Sequence, residues 1–191
     1  MDWSAVSSFV FPDNTVLCNF AAVHQLSLLR KVLSGKGRWT DAVAREAQKS
    51  SAYWPDLVSL PFDGWLGSPI EITDRQDLQG IERIRRAVFG GTSKHARQHL
   101  GEAQTCYLLK HSEEFSGSWW VSDDRDSIDY ARSQKLEAYE TRHLIGMAVQ
   151  MDEISADRGF DLLNAMRDEG RHLRVPSSPE KLVEMAALPP M

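Results

Sequence analysis

The chain has 191 residues, with 22 lysines and arginines against 27 aspartates and glutamates, which gives a formal net charge of −5 at pH 7. Apolar residues make up 42% and charged residues 26% of the sequence, and these ordinary proportions exclude a collagen-like, low-complexity or highly charged disordered chain. Because a protein that holds nucleic acid by charge alone is normally basic, any nucleic-acid function of this acidic chain would depend on local basic patches and a metal ion.

The first half of the chain predicts one buried strand followed by helices. An apolar run over residues 8–12 predicts the strand, and Asn14 and Thr15 after it are good helix starters. Apolar residues then recur at helical spacing as far as Gly35, a residue typical of a helix end. The predicted elements are a strand over residues 8–12, a helix from Asn14 towards Gly35, a helix from Thr40 or Asp41, and a loop with room for one strand over residues 51–67.

The second half of the chain predicts helices alternating with two further strands. The predicted elements are a helix from about Asp74 to Val88, a break at Gly90 and Gly91, a helix over 101–110, a strand over 119–121, a helix over 125–135, a strand before Thr141, and helices from Thr141, Ser155 and Pro179. Short apolar strands that alternate with helices predict an α/β fold, with a central, mainly parallel sheet flanked by helices in three layers. Since the sequence has no internal repeat and no Gly/Ser linker, we expect a single domain over residues 1–191, with an insertion near 51–70 and a helical C-terminal tail over 171–191.

Neither a membrane span nor a secretory leader is expected. The longest apolar run, residues 144–149, is far shorter than the roughly 18 residues that a spanning helix needs. Residues 1–4 contain no basic segment that leads into an apolar stretch, as a signal peptide would. The two cysteines, Cys18 and Cys106, lie in apolar segments and fit a reducing cytoplasm better than a disulfide framework. We therefore expect a cytoplasmic protein.

Acidic residues occupy positions where an α/β protein places its binding groups. Asp13 follows the first predicted strand, and Asp123 and Asp124 follow the second; binding groups in an open parallel sheet gather beyond the carboxyl ends of the strands. Glu46 and Glu102 lie in otherwise apolar helical segments, where an unpaired carboxylate is costly. Carboxylates brought together repel one another unless a cation shares the site, and Mg²⁺ or Mn²⁺ suits such oxygen ligands.

Each of these acids also has a simpler interpretation. Asp13, Asp123 and Asp124 are all suited to cap the N-terminus of a following helix without any metal. Glu46 taken alone is typical of a solvated helix face, and Glu102 is equally compatible with the first turn of a helix.

The order of the acids resembles that of the PIN-domain family of metal-dependent ribonucleases. The resemblance covers roughly residues 7–170 and rests on four short motifs, which are residues 9–17 (strand, acid and hydroxyl), 43–46, 100–104 (in a Gly-Glu-Ala form) and 119–126 (a strand that runs into an Asp pair). Residues 143–170 are similar, more loosely, to the helical tail of one PIN subgroup. The sequence departs from the family at Pro12, which costs the strand an N–H donor, and in the long interval between Glu46 and Glu102.

The resemblance implies a divalent-metal-dependent endoribonuclease that uses Mg²⁺ or Mn²⁺. Asp13 is then the central metal ligand, and Glu102 with either Asp123 or Asp124 completes the metal site. Glu46 is expected to orient or deprotonate the attacking water. Thr15 is expected to hold Asp13 or a metal-bound water through its hydroxyl. Of the acids in the final motif, Asp126 is the least favoured as a ligand.

An RNA substrate requires positive charge near the acidic site. The candidates for substrate contact are Lys94, Arg97 and Arg125. The arginines of segment 83–86 are an additional cluster, for which a solvated helix face is the favoured interpretation. His95 and His99 would share one face of a helix, but the sequence offers no third zinc ligand nearby. Base stacking is expected of at most one of the tryptophans Trp39, Trp54, Trp65, Trp119 and Trp120.

Partners and alternatives also follow from the resemblance. Small single-domain PIN proteins are often the toxin of a toxin–antitoxin pair, which implies an antitoxin protein that covers the site and leaves room for a homodimer. The alternative function is a catalytically inactive PIN-like protein-interaction module, whose acids do not assemble. The low basicity of the chain and the proline at position 12 favour that alternative.

Overall fold

The computed structural model describes residues 8–95 and 97–187. Residues 1–4, from which we expect no signal peptide, and residues 188–191 of the predicted tail lie outside this part of the chain.

The described residues contain three strands, ten α-helices and one 3₁₀ helix. In chain order they are β1 (Val10–Pro12), α1 (Asn14–Ala22), α2 (Leu26–Leu33), α3 (Asp41–Ser50), a 3₁₀ helix (Pro55–Ser59), α4 (Leu60–Asp63), α5 (Arg75–Ala87), α6 (Leu100–His111), β2 (Trp119–Val121), α7 (Arg125–Ser133), β3 (Glu137–Tyr139), α8 (Thr141–Gln150), α9 (Ala156–Asp168) and α10 (Pro179–Ala187). Among these helices none combines the length and the apolar character that crossing a membrane requires.

The strands form one parallel sheet in the order β1-β2-β3. Phe11, Trp120 and Ala138 stand in one row across the sheet, and they pack with buried residues of α5, α6 and α7. The rows on either side, which contain Val10 and Tyr139, face the other way and pack with α1, α2, α3, α8 and α9. The structure thus confirms an α/β fold with a parallel sheet, and helices cover both of its faces, as a three-layer arrangement requires.

Pro12 is tolerated because of its direction in β1. The Asp13 N–H donates to Val121 of β2 at 2.8 Å, whereas the Val10 N–H points away from β2 and donates to Lys36 at 2.9 Å. Residue 12 shares the direction of residue 10 because directions alternate along a strand. The missing N–H therefore removes no hydrogen bond between β1 and β2, in keeping with the restriction of proline to such positions in sheets.

The predicted single helix from Asn14 towards Gly35 is wrong, since α1 ends at Ala22 and α2 begins at Leu26. His24 takes a left-handed backbone conformation with φ of 55°, and the N–H of Gln25 donates back to the carbonyl of Phe20 at 2.8 Å. This is a Schellman helix end, in which a glycine usually occupies the left-handed position. The sequence has no glycine at this break, and the helical spacing of apolar residues continues across it.

Two other predicted segments differ from the structure. Residues 51–67, predicted as a loop with room for one strand, instead contain the 3₁₀ helix and α4, which bury Leu57 and Leu60. Within the tail predicted over 171–191, the helix predicted from Pro179 is confirmed as α10, whereas residues 171–178 before it have an irregular conformation. That irregular segment brings Arg171 and Arg174 to the candidate site.

Candidate functional site

Polar residues follow all three strands at the carboxyl edge of the sheet. Asp13 follows β1, Ser122 and Asp123 follow β2, and Glu140 follows β3. The N–H of Asp13 donates to the last residue of β2 at 2.8 Å, and the N–H of Ser122 donates to the last residue of β3 at 3.0 Å. These bonds hold the residues side by side at the edge where α/β proteins bind ligands.

Asp13 is a buried carboxylate held from three sides. Its exposed fraction is 4%. Its Oδ1 accepts from the N–H of Asn14 at 2.7 Å, which caps α1, and its Oδ2 accepts from the hydroxyls of Thr15 and Ser122, each at 3.1 Å. Burial and, after it, the charge of Glu102 raise the pKa of Asp13 to about 7, although the three hydrogen bonds act in the opposite direction. The predicted contact between Thr15 and Asp13 is therefore present.

Glu46 of α3 lies against the N-terminus of α6. Burial, followed by the charges of Asp13 and Glu102, raises the pKa of Glu46 to about 8, while the backbone N–H of Gly101 opposes the rise. A Cβ atom at Gly101 would lie only 3.0 Å from Glu46 Oε2 and 3.0 Å from Val43 Cγ2. Glycine is thus what allows α3 to approach α6 closely enough to place Glu46 beside Glu102.

Glu102 connects the other two acids. It lies in the first turn of α6, where its Oε1 is 3.2 Å from His99 Nδ1. Its Oε2 is buried and has no hydrogen-bond partner among the described residues. Its charge contributes to the raised pKa of both Asp13 and Glu46. The structure therefore brings Asp13, Glu46 and Glu102 together, and we refer to these three residues as the acidic trio.

Asp123 is held in a polar network with Asn19 and Thr141. Its Oδ2 accepts from Asn19 Nδ2 at 2.7 Å and from the hydroxyl of Thr141, and its Oδ1 accepts from the N–H of Thr141 at 3.1 Å. Burial raises the pKa of Asp123 to about 6, against the effect of the two bonds from Thr141. Both carboxylate oxygens of Asp123 are thus already bonded.

Asp124 serves as the N-cap of α7. Its Oδ1 accepts from the N–H of Ser127 at 2.7 Å, and its own N–H donates to Ser122 Oγ at 3.2 Å. Asp126 is exposed in the first turn of the same helix. The capping interpretation therefore describes Asp13 and Asp124, but not Asp123. Glu46 is partly buried rather than solvated.

Across residues 8–95 and 97–187, no three His, Cys, Asp or Glu side chains are arranged to hold a metal ion. The chemistry of the acidic trio nevertheless fits a divalent cation. The three acids are coupled by repulsion, two of them have a raised pKa, and a buried Glu102 oxygen lacks a donor. A cation would relieve each of these costs, and carboxylate oxygens are the ligands that Mg²⁺ prefers.

Several residues of this edge were missed in the sequence. Glu140 is 3% exposed and pairs with Arg142 at 2.6 Å and with Arg174 at 3.3 Å. Its position directly after the third predicted strand was an available signal. Arg171 donates to Asn19 Oδ1 at 2.9 Å, although the two residues are 152 positions apart in the sequence. No local sequence pattern predicts such a contact.

The structure places the predicted cationic, histidine and tryptophan candidates in different surroundings. Lys94, Arg97 and Arg125 are exposed, as substrate contact requires. The zinc pair that the sequence already disfavoured finds no support, because His95 and His99 precede α6 instead of sharing a helix. Trp39, Trp65 and Trp120 are buried, and Trp119 packs on Tyr139 with ring centroids 4.7 Å apart. Trp54 is partly buried, and the guanidinium of Arg171 lies 5.9 Å from its ring centroid.

Arg85 does not belong to a solvated face, because it is 1% exposed. Its guanidinium bonds Glu82 at 2.7 and 2.8 Å and the carbonyls of Thr92, His95 and Gln98 at 3.2–3.3 Å. This one side chain therefore holds the backbone at residues 92, 95 and 98 in front of α6.

We expect Arg85→Met to lower the free energy of unfolding by about 2–4 kcal/mol, because the loop carbonyls lose a charged donor in a buried setting. Urea unfolding of the two proteins measures the loss, with the exposed Arg86→Met as the matched control. A loss below about 1 kcal/mol at Arg85, no greater than that of the control, would contradict this role.

His143 allows a test of burial at the carboxyl edge of the sheet. Its Nδ1 accepts from the Glu140 N–H at 3.0 Å, and burial, followed by the charge of Arg142, lowers the pKa of His143 to about 4. The unfolded chain binds a proton more readily than the folded one, so the stability that this group contributes is complete above pH 6.5 and is lost as the pH falls towards 4. On going from pH 7 to pH 5, wild type should lose about 1–2 kcal/mol more than His143→Gln in urea unfolding; equal losses would exclude a buried neutral imidazole.

Comparisons of the chain with family models, with curated proteins and with solved structures found no match. The family resemblance accordingly stays an expectation, and the site geometry has to support any function.

Proposed function

We propose that this protein is a divalent-metal-dependent nuclease that hydrolyses phosphodiester bonds in RNA with Mg²⁺ or Mn²⁺. The observation that carries the proposal is the acidic trio, Asp13, Glu46 and Glu102, which is assembled from three separate elements at the carboxyl edge of a parallel sheet. Burying three interacting carboxylates lowers stability, and a binding function for a cation explains why the fold accepts that cost.

Asp13 and Glu102 are the residues that would hold the metal. Asp13 is oriented by Thr15 and Ser122, and Glu102 offers the buried oxygen without a donor. Asp123 or Asp124 would contribute from the adjoining end of β2, either directly or through water. When bound, a divalent ion lowers the pKa of a coordinated water and neutralises charge that develops on the phosphate.

Glu46 would orient the attacking water and accept its proton. Its pKa of about 8 is close to the operating range of a general base, and the Gly101 N–H holds its carboxylate at the entrance of α6. Thr15 and Ser122 keep Asp13 in one orientation, so that the acids need little rearrangement during the reaction.

We further propose a PIN-like fold and, with it, the role of a toxin that an antitoxin protein inhibits by covering the site. This part rests on the order of the sequence motifs. Exposed apolar side chains in the segment between α3 and α5 are available for protein contact, with Tyr53 79%, Val58 58% and Phe62 85% exposed. A homodimer is the second assembly that we propose.

A catalytically inactive interaction module is the second candidate. The observation that favours it is that the described residues contain no ready group of three metal ligands, since Asp123 is bonded to Asn19 and Thr141 while Asp124 caps α7.

Isothermal titration of the apo protein with Mn²⁺ separates the two candidates. A nuclease should bind the ion with a heat signal that Asp13→Asn abolishes or weakens at least tenfold, because the variant removes a ligand charge. An inactive module should show no carboxylate-dependent binding.

A further inference from the structure

A cleft of about 670 Å³ lies beside the acidic trio, between α3 and the loop in front of α6. It is lined by Lys49 of α3 and by His95, Arg97 and Gln98 of the loop. A smaller pocket shares Lys49 and Arg97 with the cleft and also includes Glu46 in its lining. The cleft therefore adjoins the pocket that is lined by the candidate water-activating carboxylate.

The cleft carries two cations that lack a close ion-pair partner among the described residues. Lys49 and Arg97 are exposed, and within the described ranges neither forms an ion pair. Arg45 on the same helix is different, because it pairs with Asp41 one turn away. In a chain of net charge −5, two unpaired cations that converge on one cleft favour an anionic ligand.

The wall of the cleft is preorganised from inside the fold. Buried Arg85 binds the carbonyls of Thr92, His95 and Gln98, two of which belong to residues that line the cleft. The backbone is thus held at His95 and Gln98, on either side of Arg97, which reduces the ordering cost of binding a ligand.

The size and chemistry of the cleft indicate the ligand class. Its volume is in the range of pockets that hold a small molecule of one or two nucleotides' size. Guanidinium and ammonium groups suit phosphates, while an imidazole and an amide suit the base edges and faces that an unpaired strand displays.

We propose that this cleft binds single-stranded RNA on one side of the scissile phosphodiester, with Lys49 and Arg97 contacting backbone phosphates. The inference rests on the proposed function, whose site the strand would enter past Glu46. It adds the cation Lys49 and the amide Gln98 to the substrate-contact residues predicted from sequence, and it makes Arg85 a positioning residue.

The test measures binding without cleavage. Fluorescence anisotropy of a short labelled oligouridylate is recorded with the full chain in a chelator, at several salt concentrations between about 50 and 200 mM. Lys49→Ala and Arg97→Ala should each weaken binding by about 3–10-fold and reduce the slope of log K against log salt by about 0.7. Lys49→Arg and Arg97→Lys should retain most of the affinity, and Arg158→Ala, which removes an exposed cation of α9, should bind as wild type does.

The outcomes separate this inference from the function on which it rests. Wild-type binding that neither cleft variant weakens, or no binding of the oligouridylate at all, would overturn the cleft proposal. Cleavage of the same RNA with Mn²⁺ is scored independently. Weakened binding in the variants without any cleavage keeps the cleft as an RNA-binding surface and rejects the nuclease, whereas cleavage with unchanged variant affinity keeps the nuclease and rejects the cleft.

Discussion

Asp13→Asn is expected to lower the rate of Mn²⁺-dependent RNA cleavage by about 10³-fold or more, because it removes the central negative ligand of the metal site. The variant should keep its fold, since an asparagine oxygen can still accept from the Asn14 N–H that caps α1. The rate is measured on a labelled RNA under single-turnover conditions, and circular dichroism monitors the fold.

Asp129→Asn is the matched control for this substitution. Asp129 is exposed on α7 and undergoes the same chemical change, which lowers the negative charge of the chain by one. The control should cleave at the wild-type rate. A folded Asp13→Asn protein that cleaves within a few-fold of wild type would remove Asp13 from the metal site.

The second large effect of Asp13→Asn concerns stability in the absence of metal. Here the substitution should be favourable, although it is unfavourable for cleavage. In a chelator at pH 8, Asp13→Asn should be more stable than wild type by roughly 2–4 kcal/mol, because the ionised carboxylate is buried and repelled by Glu102. The comparison is made by urea unfolding.

The pH dependence follows from the direction of the shifts. Asp13 and Glu46 have a raised pKa, of about 7 and about 8, so the folded state binds protons more tightly than the unfolded chain. Their contribution to stability is complete below about pH 4 and is lost as the pH rises to about 8. The advantage of Asp13→Asn should accordingly shrink between pH 8 and pH 5.

Divalent metal provides the complementary arm of this experiment. Saturating Mn²⁺ should stabilise wild type through preferential binding to the folded state, and it should stabilise Asp13→Asn much less. A variant that is less stable than wild type in chelator at pH 8, or one that gains as much from Mn²⁺ as wild type does, would contradict the account of the acidic trio.

Local pattern was sufficient for the fold class and for part of the site. The apolar run of β1, the Trp-Trp-Val run of β2 and the helix starters after them are short-range features, and each lies in the structure close to its predicted place. Because the carboxyl ends of parallel strands meet at one edge, Asp13 could be placed there from sequence. The Gly-Glu pair at the start of α6 similarly indicated Glu102 as a candidate site residue. Only the structure shows that Gly101 makes room for Glu46.

The remaining features depend on contacts between distant parts of the chain. Arg171 reaches Asn19 from the irregular segment between α9 and α10, and Asn19 in turn holds Asp123. Arg85 has the spacing of a surface residue but is buried by a loop that folds back over it. His24 ends a helix in a conformation that usually belongs to glycine. Local composition contains no signal for any of these.

The acidic trio as a divalent-cation site is the claim on which the other proposals depend most. A crystal grown with Mn²⁺ and measured at a wavelength that reveals manganese tests it directly. The account predicts an anomalous peak about 2.0–2.3 Å from carboxylate oxygens of both Asp13 and Glu102; clean density for these side chains with no peak between them, at Mn²⁺ concentrations that support cleavage, would contradict it.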